Sequence, residues 1–286
     1  MEEQTIAVTC HEFALLVERA LIAEVELSPK PGLVDALNTG THTDMNHELF
    51  LISAKTLTPF FEEMALVSWN HPMTQTIREK IGEIGRRAEA AMFQATDGVN
   101  THKGAIWAMG LFITAVSSQY SLTQQLFLPK IFSDIQILVS FPDRFVEKNL
   151  PLSHGEKVKK KYGNGGAFAE AAAGFPHVQV ALSDYFNRSQ EDSTEKRLHM
   201  LLAIIASLDD TCILYRSDQT VLAQVQSLAR KANEQSLPNK SFEQLHTYCQ
   251  TQAVSPGGSA DLLAASFFLL SLEHLTNKTV LFTAVK

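Results

Sequence analysis

The chain has 286 residues, 45% of them hydrophobic, which is long and apolar enough to bury a substantial core. Its 31 acidic residues outnumber 24 basic ones for a net charge of −7, so no long-range field draws it to nucleic acid or to an anionic membrane. Any phosphate must be caught locally, and three scattered cysteines, Cys10, Cys212 and Cys249, lack the spacing of a zinc cluster or a secreted disulfide framework.

The first ten residues carry Glu2 and Glu3 and lack the basic start and apolar run of an export signal, so the cytoplasm is the expected compartment. Apolar residues at Phe13, Leu16, Val17, Ala20 and Leu21 form one helical stripe, and Ile77, Ile81, Ile84, Ala88 and Met92 another. The pattern predicts further helices over 46–67, 102–118, 123–141, 166–186, 195–207, 219–234, 241–253 and 259–275. The most apolar runs, 201–208 and 262–272, are short and bounded by Asp209, Asp210, Asp261 and Glu273, which marks buried helices rather than membrane spans. Strand-like alternation is confined to 279–285, a tail expected to pack on the body or on a second subunit of a homodimer. The polar stretch 187–195 reads as a surface loop. The expectation is one all-α domain over 1–286, a multi-helix bundle whose polar loops form the active site.

Four Gly- and Pro-marked connections hold the residues that bear chemistry. The first runs from Pro29, Lys30, Pro31 and Gly32 to Asp35, Asn38, His42 and Asp44, after a helix with Glu24 near its end. Its density of cation, imidazole and carboxylate outweighs the reading of a plain rigid turn. The second, Thr96 to Gly104, leads into an apolar helix. Asn100 or Thr101 is placed to cap that helix, and free amides beside His102 and Lys103 suit a phosphate, with simple capping as the alternative. The glycine spacing and preceding strand of a P-loop are missing.

In the third connection Asp209 and Asp210 stand side by side, with Arg216 one to two turns on. Paired carboxylates hold Mg²⁺ on a polyphosphate or serve as a base, unless Asp210 simply caps a helix. The fourth, Pro256-Gly257-Gly258-Ser259, opens a helix with Asp261 in its first turn. Its amides are open to an oxyanion, or Ser259 is an ordinary N-cap. Weaker signals lie at 154–163 and at 165–176, where Glu170 precedes Gly174-Phe175-Pro176.

In order along the chain stand Pro29-Lys-Pro-Gly-Leu-Val-Asp35 with His42 and Asp44-Met45, Gly98-Val-Asn-Thr-His-Lys-Gly104, Gly155-Glu156, Glu170 with Gly174-Phe-Pro176, Asp210-Thr211 with Arg216, and 256–263. Together they cover nearly the whole chain and resemble the triphosphoribosyl-dephospho-CoA synthase family, the first two motifs most specifically. The resemblance implies an all-α fold, ATP and 3′-dephospho-CoA as substrates, and adenine as the leaving group. It also implies a product passed to an acyl-carrier-protein transferase, as precursor of the prosthetic group of citrate lyase or malonate decarboxylase. The reaction implied is a single inverting displacement at C1′ of the ATP ribose by the 2′-hydroxyl of dephospho-CoA. Such a step needs a base, a proton donor for adenine and a carboxylate beside an oxocarbenium-like carbon.

On that basis Lys30, Asn38, His42, Asn100, Thr101, His102, Lys103, Arg216, Gly257, Gly258 and Ser259 are expected to bind substrate. Asp35, Asp44, Glu24 and Glu170 are expected to supply catalytic carboxylates, with Glu89 in reserve, and Asp209 and Asp210 to hold Mg²⁺. Against the family pattern, Ala36 stands where arginine is usual, Phe168-Ala169 where Arg-Gly is usual, and Ser217-Asp218 where Gly-Gly is usual. Two other readings compete. A Mg²⁺-dependent helical hydrolase of nucleotides or ADP-ribose would release adenine from ATP alone, and a non-catalytic module would bind nucleotides or a carrier protein without releasing it.

Overall fold

The N-terminal stripes become long helices in the computed structural model, which describes residues 2–146, 152–163, 165–188 and 191–274. α1 (Glu2–Glu26) packs against α2 (His47–Ser68), and α2 against α3 (Gln75–Ala95) and α4 (Lys103–Thr123). Side chains set the starts: Asn46 accepts from the Leu49 amide and Thr74 from the Ile77 amide. Each satisfies one of the amides left without a partner at a helix N-terminus. By length and composition α4 could cross a membrane, yet nearly every side chain from Ala105 to Gln119 is buried. A helix apolar all round and enclosed by its neighbours is the centre of a bundle.

Around it lie α5 (Leu128–Ser140), α6 (His154–Tyr162), α7 (Gly166–Ala172), α8 (Pro176–Asn187) and α9 (Ser193–Ile205). α10 (Thr211–Arg216), α11 (Gln219–Asn233), α12 (Lys240–Gln252) and α13 (Gly257–Ser271) follow, and no β-strand occurs among the described residues. The all-α expectation therefore stands. α13 packs on α1, α4, α8 and α9, and buried apolar side chains from Cys10 to Leu272 form one continuous core.

The helix expected over 166–186 is in fact two. Gly174 (φ 78°) and Phe175 (φ 54°) adopt left-handed backbone, and Pro176, without an amide, opens α8 at its first position. The helix expected from 123 starts at Leu128, because Gln124 ends α4 in the left-handed region and Pro129 occupies the first turn of α5. No apolar stripe announces α6, whose sequence HGEKVKKKY buries only Val158. A reciprocal capping box between Ser153 and Glu156 and three lysines in its last turn hold it. The tail at 279–285 lies outside the described residues.

Candidate active site

The connection after α1 folds back on the body at Gly32 (φ 73°), where an added Cβ would lie 2.7 Å from the Val254 carbonyl. Lys30 is 0% exposed; its Nζ donates to the Glu24 backbone carbonyl at 2.5 Å and to the Glu24 carboxylate. A buried ammonium needs such a partner. Asp35, also buried, accepts from the Lys30 amide at 2.9 Å through Oδ2. Its Oδ1 accepts from the Leu37 and Asn38 amides at 2.8 and 3.0 Å and from the Asn38 side chain at 3.2 Å. Asn38 Oδ1 accepts from the Gly40 amide at 2.8 Å.

None of these three residues reaches the cleft wall, and a carboxylate already accepting four hydrogen bonds has little capacity left for a substrate. Lys30, Asp35 and Asn38 thus build the loop rather than the wall of the cleft, where substrate-binding and catalytic roles were expected of them. What it presents to the cleft is His42 and Asp44, 3.8 Å apart, with the His42 Nδ1 3.5 Å from Arg216 Nη2.

The cleft has a volume of about 950 Å³, at the upper end of the range for small-molecule sites. The N-terminal ends of α4, α6, α8 and α13 meet its wall, with those of the short α7 and α10 among them. Helix N-termini carry partial positive charge, which favours an anion even in a chain of net negative charge. At α4, Asn100 Oδ1 accepts from the Lys103 amide at 3.2 Å, and Thr101 donates to Ser53 Oγ at 2.8 Å. His102 Nδ1 lies 2.7 Å from the same Oγ while its buried Nε2 has no partner. Burial and then the charge of Lys30 push the His102 imidazole down to about 3, so the ring is neutral. Lys103 pairs with Glu89 at 2.5 Å; Glu89 stands behind the cation, outside the cleft wall. Across the opening His154 stacks on Tyr215 with ring centroids 3.6 Å apart, and Lys157 lies over the same tyrosine. With Arg216 they form an exposed, largely cationic rim.

The interior is acidic. Asp210 caps α10 through the Cys212 amide at 2.9 Å and also reaches α13. There it meets the Gly258 amide at 3.3 Å and accepts from the amide and hydroxyl of Ser259 at 2.9 and 3.0 Å. Both oxygens are engaged within the protein, although Asp210 also lines the cleft wall. Ser259, fully buried and outside the cleft wall, is part of this staple, while Gly257, Gly258, Asp210 and the exposed Asp209 line the cleft.

Asp261 has only the sequence signal of an acid in a helix's first turn, yet it lines the same wall. A Cβ on Gly104 would lie 2.0 Å from its Oδ2, so only glycine lets α4 and α13 come this close. Burial, then the charges of Asp210 and Glu24, push Asp261 well above the usual carboxylate range. Burial also raises Asp210, against the hydrogen bonds it accepts, and raises Glu24 against the pull of Lys30.

The break between α7 and α8 turns Glu170 onto His177. The His177 amide donates to Oε1 at 3.0 Å, and its ring Nδ1 lies 2.7 Å from Oε2. Burial lowers this imidazole, but the hydrogen bond and charge of Glu170, the Ser207 carbonyl and Asp209 together raise it above 6.5. His42 moves the other way: burial and Arg216 lower it, against Asp44. Position after the Gly-Phe-Pro turn is the one sequence signal His177 has.

Of the departures from the family pattern, Ala169 lines the cleft and the others lie outside its wall. Ala36 and Phe168 are exposed and outside its wall, and Asp218 caps α11 by accepting from the Thr220 and Val221 amides at 2.8 and 3.0 Å.

A helical bundle with an anion-collecting cleft and imidazoles of opposite tendency inside it has the parts of an enzyme acting on phosphorylated substrates. Residues 10–280 match the family model for ATP:dephospho-CoA triphosphoribosyl transferase (CitG). A probable 2-(5''-triphosphoribosyl)-3'-dephosphocoenzyme-A synthase of Azotobacter vinelandii is 40% identical over 272 residues, 92% of each chain. The synthase of that name from Klebsiella pneumoniae is 38% identical over 257 residues, 87% of this chain and 90% of its own. A probable one from Pseudomonas fluorescens is 39% identical over 283 residues, 96% of each. No solved structure matches the chain. The chain belongs to the ATP:dephospho-CoA triphosphoribosyl transferase family.

Proposed function

We propose that this protein joins ATP to 3′-dephospho-CoA, giving 2′-(5″-triphosphoribosyl)-3′-dephospho-CoA and free adenine. Beside family membership, the observation that carries the reading is the pair of cleft imidazoles displaced in opposite directions, His42 down and His177 up. Environments that push two titratable groups apart assign the base and the acid. His42, whose neutral form burial and Arg216 favour, takes the proton of the attacking 2′-hydroxyl. His177, whose protonated form Glu170 favours, gives a proton to the departing adenine. One C–O bond forms at C1′, one C–N bond breaks, and the triphosphate stays attached. Lys103, Arg216 and the amides at the start of α4 hold that triphosphate.

Mg²⁺ fits this donor set. Asp261 offers hard oxygens in a wall shared with Glu24 and Asp209, and Mg²⁺ typically binds one or two carboxylates together with substrate phosphates. When bound, it would offset the triphosphate charge. Free, unpaired cysteines fit a cytoplasmic location, and an acyl-carrier-protein transferase is the proposed consumer of the product. A homodimer belongs to the same proposal.

The test is mass spectrometry of a reaction containing ATP, Mg²⁺ and dephospho-CoA. The expected product has the summed mass of both substrates less adenine, with one adenine released per product. Adenine formed from ATP alone would support the hydrolase instead, and none under any condition would leave a binding module.

A further inference from the structure

Outside the cleft, Glu191 just ahead of α9 and Glu195 and His199 on α9 recur every four residues, with ligand atoms all within 4.8 Å of one another. None of them lines the cleft. His199 is 0% exposed, and its Nδ1 lies 2.6 Å from Asn233 Oδ1, an acceptor, so Nδ1 carries the proton and the Nε2 lone pair is free. That Nε2 is buried without a hydrogen-bond partner, and so is Glu191 Oε2, 3.6 Å away. Glu195 Oε1 is 3.8 Å from the same nitrogen.

These separations are too long for hydrogen bonds. They come close to the edge of a tetrahedron with metal–ligand bonds of about 2.0–2.2 Å, an edge of roughly 3.3–3.6 Å. The surroundings orient each group. Arg188 donates to the other Glu191 oxygen at 3.0 Å and to the Asn233 carbonyl at 2.8 Å, and Glu195 Oε1 accepts from the Leu237 amide at 2.7 Å. Asn233 Nδ2 donates to Asp184 at 3.2 Å. An imidazole fixed by an outer carbonyl, facing two oriented carboxylates, is a metal-ligand arrangement with its supporting shell.

We propose that Glu191, Glu195 and His199 bind one divalent transition metal of the Zn²⁺ class and fasten the α8–α9 turn to the end of α11. One imidazole and two carboxylates match the three protein ligands of an open zinc site, and the partial exposure of both glutamates leaves the fourth position to water. The ion is remote from the reacting groups and acts on structure.

The test titrates the full chain, freed of metal by a chelator, with Co²⁺, whose absorption bands report coordination by nitrogen and oxygen. One saturable equivalent, displaced by Zn²⁺ and raising the melting temperature, is expected. Glu191→Gln keeps the size of a partly exposed side chain and should weaken Co²⁺ binding at least about tenfold, with circular dichroism and adenine release unchanged. His199→Asn should abolish the bands. The proposal is overturned if no one-equivalent signal appears, or if it survives undiminished in Glu191→Gln, which would place the ion at the cleft carboxylates. A metal-free protein whose stability responds to pH alone at this cluster, a protonated His199 between two glutamates, overturns it equally.

Discussion

Asp210 and Ser259 meet through two hydrogen bonds, amide and hydroxyl to one carboxylate oxygen, and so tie the start of α13 to the start of α10. Each helix loses its cap in Asp210→Ala. Two caps at roughly 0.5–2 kcal/mol each predict a loss of about 1–4 kcal/mol in chemical denaturation. A change below a few tenths would show that solvent replaces the staple.

Lys30→Met separates the structural reading of the first loop from a phosphate-binding one. It leaves Glu24 buried beside an apolar chain, and a broken buried pair predicts destabilisation of about 3–5 kcal/mol. Nucleotide affinity of the variant that remains folded should stay within a few-fold of wild type. A specific collapse of affinity with normal melting would return Lys30 to the substrate.

Lys103→Ala should do the reverse. Its side chain is part-exposed and covers no core, so melting should hold while ATP affinity falls by about 1.5–3 kcal/mol, the size of one charge-assisted contact. Equilibrium binding by calorimetry checks this, and equal affinity would remove Lys103 from the site.

For the proton donor the readout is a pH profile. Glu170 holds the His177 imidazole above its ordinary value, so Glu170→Gln lowers it, and the acid is lost at a lower pH. The basic limb of kcat/KM should therefore move to lower pH. His177→Asn should reduce kcat by about 10²–10⁴. A basic limb that does not move would assign the acid elsewhere.

Asp261 predicts a stability trend. Its carboxyl is raised in the folded state, so its contribution is fully present below the unfolded value of 3.8 and is lost as pH rises toward the folded one. Without substrate, wild-type melting should decline from acid toward neutral pH more steeply than that of Asp261→Asn. Parallel curves would contradict the assigned cause.

The helices were legible because their apolar residues repeat at helical spacing, and the connections because glycine, proline and charge crowd there. Which polar residues face the cleft was not. Lys30 and Asp35 look like ligands in sequence, but partners within six residues turn them inward. Asp210 reads as a local cap because its second helix begins near residue 257, a distance no periodicity records. His177 owes its raised imidazole to a carboxylate seven residues back across the break between α7 and α8, where sequence pattern suggested continuous helix.

The packing of α13 on α1 has a consequence for synthesis. Until α13 leaves the ribosome, the emerging chain carries an apolar groove with nothing to fill it, and α4 and Asp210 lack the helix they hold. The catalytic cleft is thus assembled last, by a contact between the two ends of the bundle, and such long-range contacts form slowly. A truncation ahead of residue 257 should leave a nascent chain that depends on chaperones rather than a weakened enzyme, which pulse proteolysis of stalled chains would distinguish.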